Sequence, residues 1–290
     1  MESVSEAPLS WSRLDIEQRL GFRGGRYTQT RLLLSGLIGA ALTVAFYAAL
    51  IPLGDTRFAG VAEMFTNNGI GQYATCFLTA WSLSILALKG SKLRLQRRTL
   101  GFNVVPSDYD FVLSSGNVDQ VTGRIYATVD DPKQFLLFNR IMIALSNLRN
   151  LGRVSDVGDI LRAQAESDES SMYSSYSMVE GFVWAIPVLG FIGTVLGLSA
   201  AIGGFSNVIA QAADISQLAD ALKGVTAGLS KAFQTTLVAL VAALAVQLLL
   251  TYLKKSEEDF LDACAEYCTR HVVSKLRIMP FEQEPERTTP

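Results

Sequence analysis

Four long runs without a charged side chain constrain this chain more than any other feature. Residues 32–53, 69–88 and 232–253 carry no Asp, Glu, Lys or Arg, and after Glu180 none occurs until Asp214. A helix needs about 20 mostly apolar residues to cross a bilayer. One such run can be a buried helix of a soluble protein, but four in one chain read as four transmembrane helices. The rest of the composition agrees. Charged residues make up 18% of the 290, against roughly a quarter in ordinary soluble domains. The balance of 25 Lys plus Arg against 27 Asp plus Glu lacks the basic excess of a nucleic-acid binder, so no nucleic-acid partner is expected. One His and three Cys leave little material for a His-based active site or a disulfide framework. No GxGxxG, Walker A, HExxH or CxxC motif is present, so neither an enzyme nor a resident cofactor is expected. No cleavable signal is visible in the polar, basic segment 1–31.

Orientation follows from Lys and Arg in the short flanks. Arg13, Arg19, Arg23, Arg26 and Arg31 precede the first run. Lys89, Lys92, Arg94, Arg97 and Arg98 follow the second, and Lys254 and Lys255 follow the fourth. The link between runs one and two holds only Arg57, and no basic residue falls between the third run and Lys223. Both termini and the middle of the chain are thereby placed in the cytoplasm. The expected organisation is a cytoplasmic N-terminus (1–30), two peripheral spans (31–88), a cytoplasmic helical domain (89–178), two further spans (179–253) and a C-terminal helix with its tail (254–290). The Lys89–Arg98 cluster is explained by topology and by anionic headgroups, so membrane lipids are expected partners.

The soluble part reads as helical. Asp131-Pro132 marks a helix start, and Phe135, Leu136, Phe138, Ile141, Met142, Leu145 and Leu148 keep helical spacing. Gly152 reads as a stop and Ser155 or Asp156 as a new cap. From there a helix of roughly 45 to 50 residues, about 70 Å long, runs to about Gly203 and into the third span. The fourth run is expected to continue as helix to about Ile278, before Pro280. The last ten residues read as a disordered tail. Asn103–Val105 and Arg124–Val129 are the two short pieces that read as extended.

The third and fourth runs hold the polar chemistry. Gly190, Gly193 and Gly197 lie at three- and four-residue steps on one face, which lets a second helix approach closely. Pro187 and Thr194 are seven apart and share a face, about 10 Å apart along the axis. Pro187 frees a carbonyl one turn earlier, and in lipid that carbonyl must find a partner. A lone Thr in a spanning helix usually bonds its own backbone, but a Pro and a Thr stacked together suggest a polar track. In the fourth run Thr226, Ser230, Lys231, Gln234, Thr235 and Thr236 crowd into the first half. Lys231 is expected to snorkel outward. Glu180, at the inner mouth of the third run, reads either as a cation-collecting carboxylate or, preferably, as a plain water-facing residue. Cys264, Cys268 and His271 fall at i, i+4 and i+7; packing of a helix interior is favoured over a Zn site.

The pattern Ala185-x-Pro187-x-x-Gly190-x-x-Gly193-Thr194-Val195-x-Gly197, followed by Gly228-Leu229-x-x-Ala232-Phe233-x-Thr235-Thr236-Leu237, resembles the MotA/TolQ/ExbB proton-channel family over roughly residues 155–260. The stretch 236–244 is similar to the family's second pore-helix motif, which puts the other pore threonine on Thr236. The family's Pro nine residues later is replaced here by Ala245. Four crossings are more like the MotA branch, while the local motifs are more like TolQ/ExbB.

The resemblance implies an all-α membrane protein with long cytoplasmic helical extensions, assembled as a homopentamer in a bacterial inner membrane. It implies a stator subunit of an ion-driven motor, moving H+ (or Na+) along a path lined by Thr194, Thr236, Thr235, Pro187 and Thr226. The partner it implies is a MotB/TolR/ExbD-like protein with one membrane helix and an Asp. The residues agree on one point: the two pore runs offer no titratable group at membrane depth, and hydroxyls do not carry a proton charge at neutral pH. The alternatives are a secondary transporter, which would be expected to show internal repeats and interrupted helix pairs, and a structural membrane scaffold, which leaves the polar stack unexplained.

Overall fold

A computed structural model describes residues 9–19, 21, 25–55, 57, 59–66, 69–106, 111–151, 154–211 and 215–276. The helices among them are α1 (Trp11–Leu14), α2 (Ile16–Arg19), α3 (Leu32–Leu50), α4 (Ala59–Thr66), α5 (Ile70–Arg97), α6 (Val118–Thr128), α7 (Leu136–Leu151), α8 (Val154–Gln211) and α9 (Ile215–His271). Short 3₁₀ turns occupy Ile51–Asp55, Arg98–Gly101, Pro132–Gln134 and Val273–Lys275. Among the described residues there is no strand beyond two isolated parallel bridges, Leu9 to Val129 and Leu113 to Leu276. The helices that carry the four uncharged runs, α3, α5, α8 and α9, are each long and apolar enough to cross a membrane.

The chain forms two compact units. One comprises Met1–Gln29, Lys89–Ser175 and Lys255–Pro290; the other comprises Thr30–Leu88 and Tyr176–Lys254. The second unit contains the uncharged runs, and its helices meet through small residues. A side chain at Gly39 would strike Trp81 backbone, with the Trp81 Cα at 2.7 Å, so α3 lies directly on α5. There the Trp81 indole N–H donates to the Ser35 hydroxyl at 3.1 Å. Gly69 has φ +78°, a left-handed conformation that glycine adopts without strain, and it starts α5. Ile186, Ala239 and Ala243 form the apolar centre, flanked by Leu78 and Ala242.

In the first unit the expected stripe of α7 is the core. Phe135, Leu136, Phe138, Ile141, Leu145 and Leu148 are buried, with Met142 partly so. Trp11 packs edge-on against Phe135 at 5.3 Å. Asp131 accepts from the Lys133 N–H at 3.1 Å, with Pro132 at the first position of a 3₁₀ turn. The α7 N-terminus is satisfied from α5: Gln96 accepts from the Leu136 N–H at 3.0 Å and donates to the Gln134 carbonyl at 2.7 Å.

Several expectations are corrected. Residues 124–128 are the last turn of α6, so of the Arg124–Val129 piece only Val129 is extended. α8 begins at Val154, so Ser155 and Asp156 lie inside its first turn, and the helix has 58 residues, longer than expected. The proposed stop Gly152 lies outside the described residues, as does the tail. α9 ends at His271, not near Ile278. The chain turns there because Lys275 offers its carbonyl to the Leu113 N–H at 2.8 Å, a tertiary bond with no local signal.

The Lys89–Arg98 cluster is also corrected in part. Arg94, Arg97 and Arg98 are exposed, but Lys89 and Lys92 are only 1% exposed. Lys92 Nζ meets Glu17 Oε2 at 2.5 Å, the Gln29 carbonyl at 2.7 Å and Asp15 Oδ2 at 3.9 Å. Lys89 donates to the Ser175 hydroxyl at 2.8 Å and faces Glu257 at 3.5 Å, and Thr28 bonds Glu257 in turn. Burial pushes the Asp15 carboxyl up from its usual range; Lys92 opposes this and Glu17 reinforces it. These lysines pin the N-terminal segment to α5.

Candidate functional site

The small residues of α8 decide where α9 sits. A side chain at Gly190 would overlap the Ala239 methyl and lie 3.4 Å from the Thr235 carbonyl; one at Gly193 would lie 3.2 Å from Thr235 Oγ1; one at Gly197 would lie 3.4 Å from the Ala232 methyl. Gly228 closes the same seam from the α9 side, against Ala201. This close approach brings the two helices' hydroxyls together. Thr194 and Thr236 are in direct hydroxyl–hydroxyl hydrogen bond. Thr194 Oγ1 also lies 3.1 Å from the Gly190 carbonyl and 3.2 Å from the Ala232 carbonyl, and Thr236 Oγ1 is 3.3 Å from the Gly190 carbonyl.

Thr235 is buried and turned into the helix contact, where it donates to the Ala232 carbonyl at 2.7 Å. With that carbonyl occupied, Thr194 donates best to Gly190 and Thr236 to Thr194. The result is three hydroxyls and two helix carbonyls joined in one hydrogen-bonded group across the seam. The hydroxyl oxygens keep lone pairs that accept from a donor or coordinate a cation. The group holds no titratable side chain, so it can orient or pass a proton but not store one.

The other expected residues fall elsewhere. Pro187 sits inside α8, partly buried, and the helix runs on through it. Thr226 is exposed and bonds the Lys223 carbonyl of its own helix at 2.9 Å; it does not join the pair. Lys231 is exposed. Glu180 is exposed and ion-paired with Lys254 of α9 at 3.1 Å.

Cys264 and Cys268 are buried, and the His271 ring lies 4.5 Å from that of Tyr267. Burial pushes both thiols up, that of Cys268 to about 11. Among the described residues no group of three or more His, Cys, Asp or Glu is placed to hold a metal ion.

Sequence reasoning missed the two carbonyl acceptors. Gly190 precedes Thr194 by four and Ala232 precedes Thr236 by four, the spacing at which a helical Thr bonds back, so a signal for them existed.

Four apolar helices and a close-packed Gly/Thr seam define a multi-pass membrane protein. Residues 137–265, which take in nearly all of α7, all of α8 and most of α9, match the model of the MotA/TolQ/ExbB proton channel family. This stretch is similar to that family, and two further apolar helices lie ahead of it in the chain. No curated protein and no solved structure matches the chain.

Proposed function

We propose that the protein is the channel subunit of an ion-driven stator. Five copies surround the single membrane helix of one or two partner chains, and ions pass between the α8/α9 seam and the partner. The observation that carries this reading is the Thr194–Thr236 hydroxyl pair, set in two runs with no Asp, Glu, Lys or Arg from 181 to 211 and from 232 to 253. A hydroxyl site with no proton store requires a carboxylate from elsewhere, and a partner Asp supplies it. H+ is the preferred ion, by family likeness. The first unit lies in the cytoplasm with both termini, and the membrane is the bacterial inner membrane. Glu180, paired with Lys254, marks the inner mouth. Pro187, Thr235 and Thr226 belong to the same two helices; Thr235 supports the seam.

Replacing Thr194 and Thr236 with Val keeps the shape and removes both hydroxyls. Ion flux through the complex with its partner should fall by at least tenfold while assembly, read by native mass, is unchanged. Full flux in the double variant refutes the role.

A further inference from the structure

A cavity of about 610 Å³ opens between α3, α4, α5 and α9 in the second unit. Sites for small ligands run from about 300 to 1,000 Å³. Leu42 and Phe46 of α3, Leu83 of α5, and Leu237, Val238 and Val241 of α9 wall it, and no charged side chain lines it. Its threonines turn their hydroxyls onto their own helices. Thr43 donates to the Gly39 carbonyl at 2.8 Å, Thr75 to the Gly71 carbonyl at 2.9 Å and Thr79 to the Thr75 carbonyl at 2.7 Å. A polar occupant would leave its own donors and acceptors unmade, which is costly away from water. The wall therefore suits hydrocarbon. In a unit whose α3, α5 and α9 are long and apolar enough to cross a membrane, lipid chains are the surrounding medium.

One charge narrows the occupant further. Val238, Ala242 and Ala245 line the cavity at four- and three-residue steps, so they mark one stripe of α9. Lys231 lies seven residues before Val238, two turns along the same stripe and about 10 Å away along the axis. It is exposed, and it immediately precedes the uncharged run 232–253, the level at which a lipid's charged group joins its chains. Among the described residues no carboxylate lies within 4.0 Å of its ammonium. A spanning helix of a second copy laid over this stripe would cover Lys231 without answering it, because the four uncharged runs hold no Asp or Glu. A lipid phosphate does answer it.

We propose that this cavity holds one acyl chain of an anionic phospholipid, with the lipid phosphate on the Lys231 ammonium. Lipid tails are as apolar as the wall, so the chain supplies fit and Lys231 supplies preference, about fivefold for one Lys against an anionic headgroup. Val238 is two residues from Thr236 and about 200° round the helix from it, so the site faces away from the hydroxyl pair. It rests on the membrane-spanning character of the unit and not on the ion path.

The test is native mass spectrometry of the whole protein in detergent, titrated with phosphatidylglycerol or with phosphatidylcholine carrying the same chains. One phosphatidylglycerol per subunit should be retained, about fivefold more tightly than phosphatidylcholine. Lys231→Gln should bring phosphatidylglycerol down to the phosphatidylcholine level and leave phosphatidylcholine unchanged. Ala245→Phe, which fills the cavity and leaves every charge in place, should weaken both lipids by about tenfold or more. Both positions are exposed, so each variant should fold, and each tests the site without the other. Retention of no lipid, the result expected if a neighbouring copy covers the cavity, overturns the proposal. So does equal retention of the two lipids by the unaltered protein, or retention unaffected by Ala245→Phe.

Discussion

Glycine positions in α8 differ in what an added methyl would meet. At Gly190 it would overlap the Ala239 methyl and press on the backbone of α9, while at Gly158 it would meet nothing within 4 Å. Gly190→Ala should therefore destabilise by about 1–3 kcal/mol, as overpacking does, and Gly158→Ala should be neutral or stabilising by up to about 1 kcal/mol from helix propensity alone. Thermal unfolding in detergent compares the two directly.

Asp130 is a second residue-scale case. It accepts from the Trp11 N–H at 2.8 Å, the Ser12 N–H at 3.2 Å and the Ser10 hydroxyl at 2.9 Å, capping α1 from 119 residues away. Burial alone would raise its carboxyl; these donors outweigh it and hold the carboxyl below its usual value of 3.8. A depressed folded value means the contribution is present above about pH 3.8 and is lost as pH falls further. Asp130→Asn should cost about 1 kcal/mol at pH 7, and the difference between wild type and variant should shrink as pH is lowered below 3.8.

At the scale of elements, the N-terminal segment and α5 are held together by buried charge. Two acids, Asp15 and Glu17, face Lys92. Removing one member of a buried ion pair costs about 3–5 kcal/mol, because an uncompensated charge stays inside, whereas replacing the whole set is often neutral. Lys92→Met should thus destabilise strongly and expose residues 11–19 to proteolysis. Adding Asp15→Asn and Glu17→Gln to that variant should restore most of the loss. The single variant should also regain stability on mild acidification, since burial already raises the Asp15 carboxyl and protonation neutralises it. Unchanged proteolysis of Lys92→Met would mean that Trp11 on Phe135 and the Asp130 hydrogen bonds hold the segment without Lys92.

At the scale of the molecule, the second unit leaves much apolar surface uncovered: Trp184, Phe191, Leu237, Leu244 and Tyr252 are all more than half exposed. A surface of that kind belongs against lipid or other helices. On the proposed reading, native mass of the purified protein gives five copies, and a stable monomer counts against it. The same reading predicts weak ion flux for the protein alone in liposomes. Flux appears when a partner with a membrane Asp is added, and disappears when that Asp is changed to Asn. Full flux without a partner would make the subunit a self-sufficient channel.

Much of this architecture was written in local order. An uncharged run of about 20 residues has few alternatives to a spanning helix, and the stripe from Phe135 to Leu148 is a property of consecutive residues, so both were legible before any coordinates. The Pro187–Thr194 spacing and the Gly190-Gly193-Gly197 steps were legible for the same reason. What stayed hidden depends on partners far along the chain. Lys89 and Lys92 looked like headgroup contacts until Glu257 and Glu17 were brought to them, and nothing local announced that Lys254 would pair with Glu180. Thr235 and Thr236 are neighbours in sequence, yet one supports the seam and the other meets Thr194, because successive residues on a helix point about 100° apart and only the position of α8 separates their roles. The end of α9 at His271 is likewise set by a bond across the first unit. Periodicity is carried by neighbours in sequence; pairing, burial and helix ends are decided by whatever the fold puts next to them.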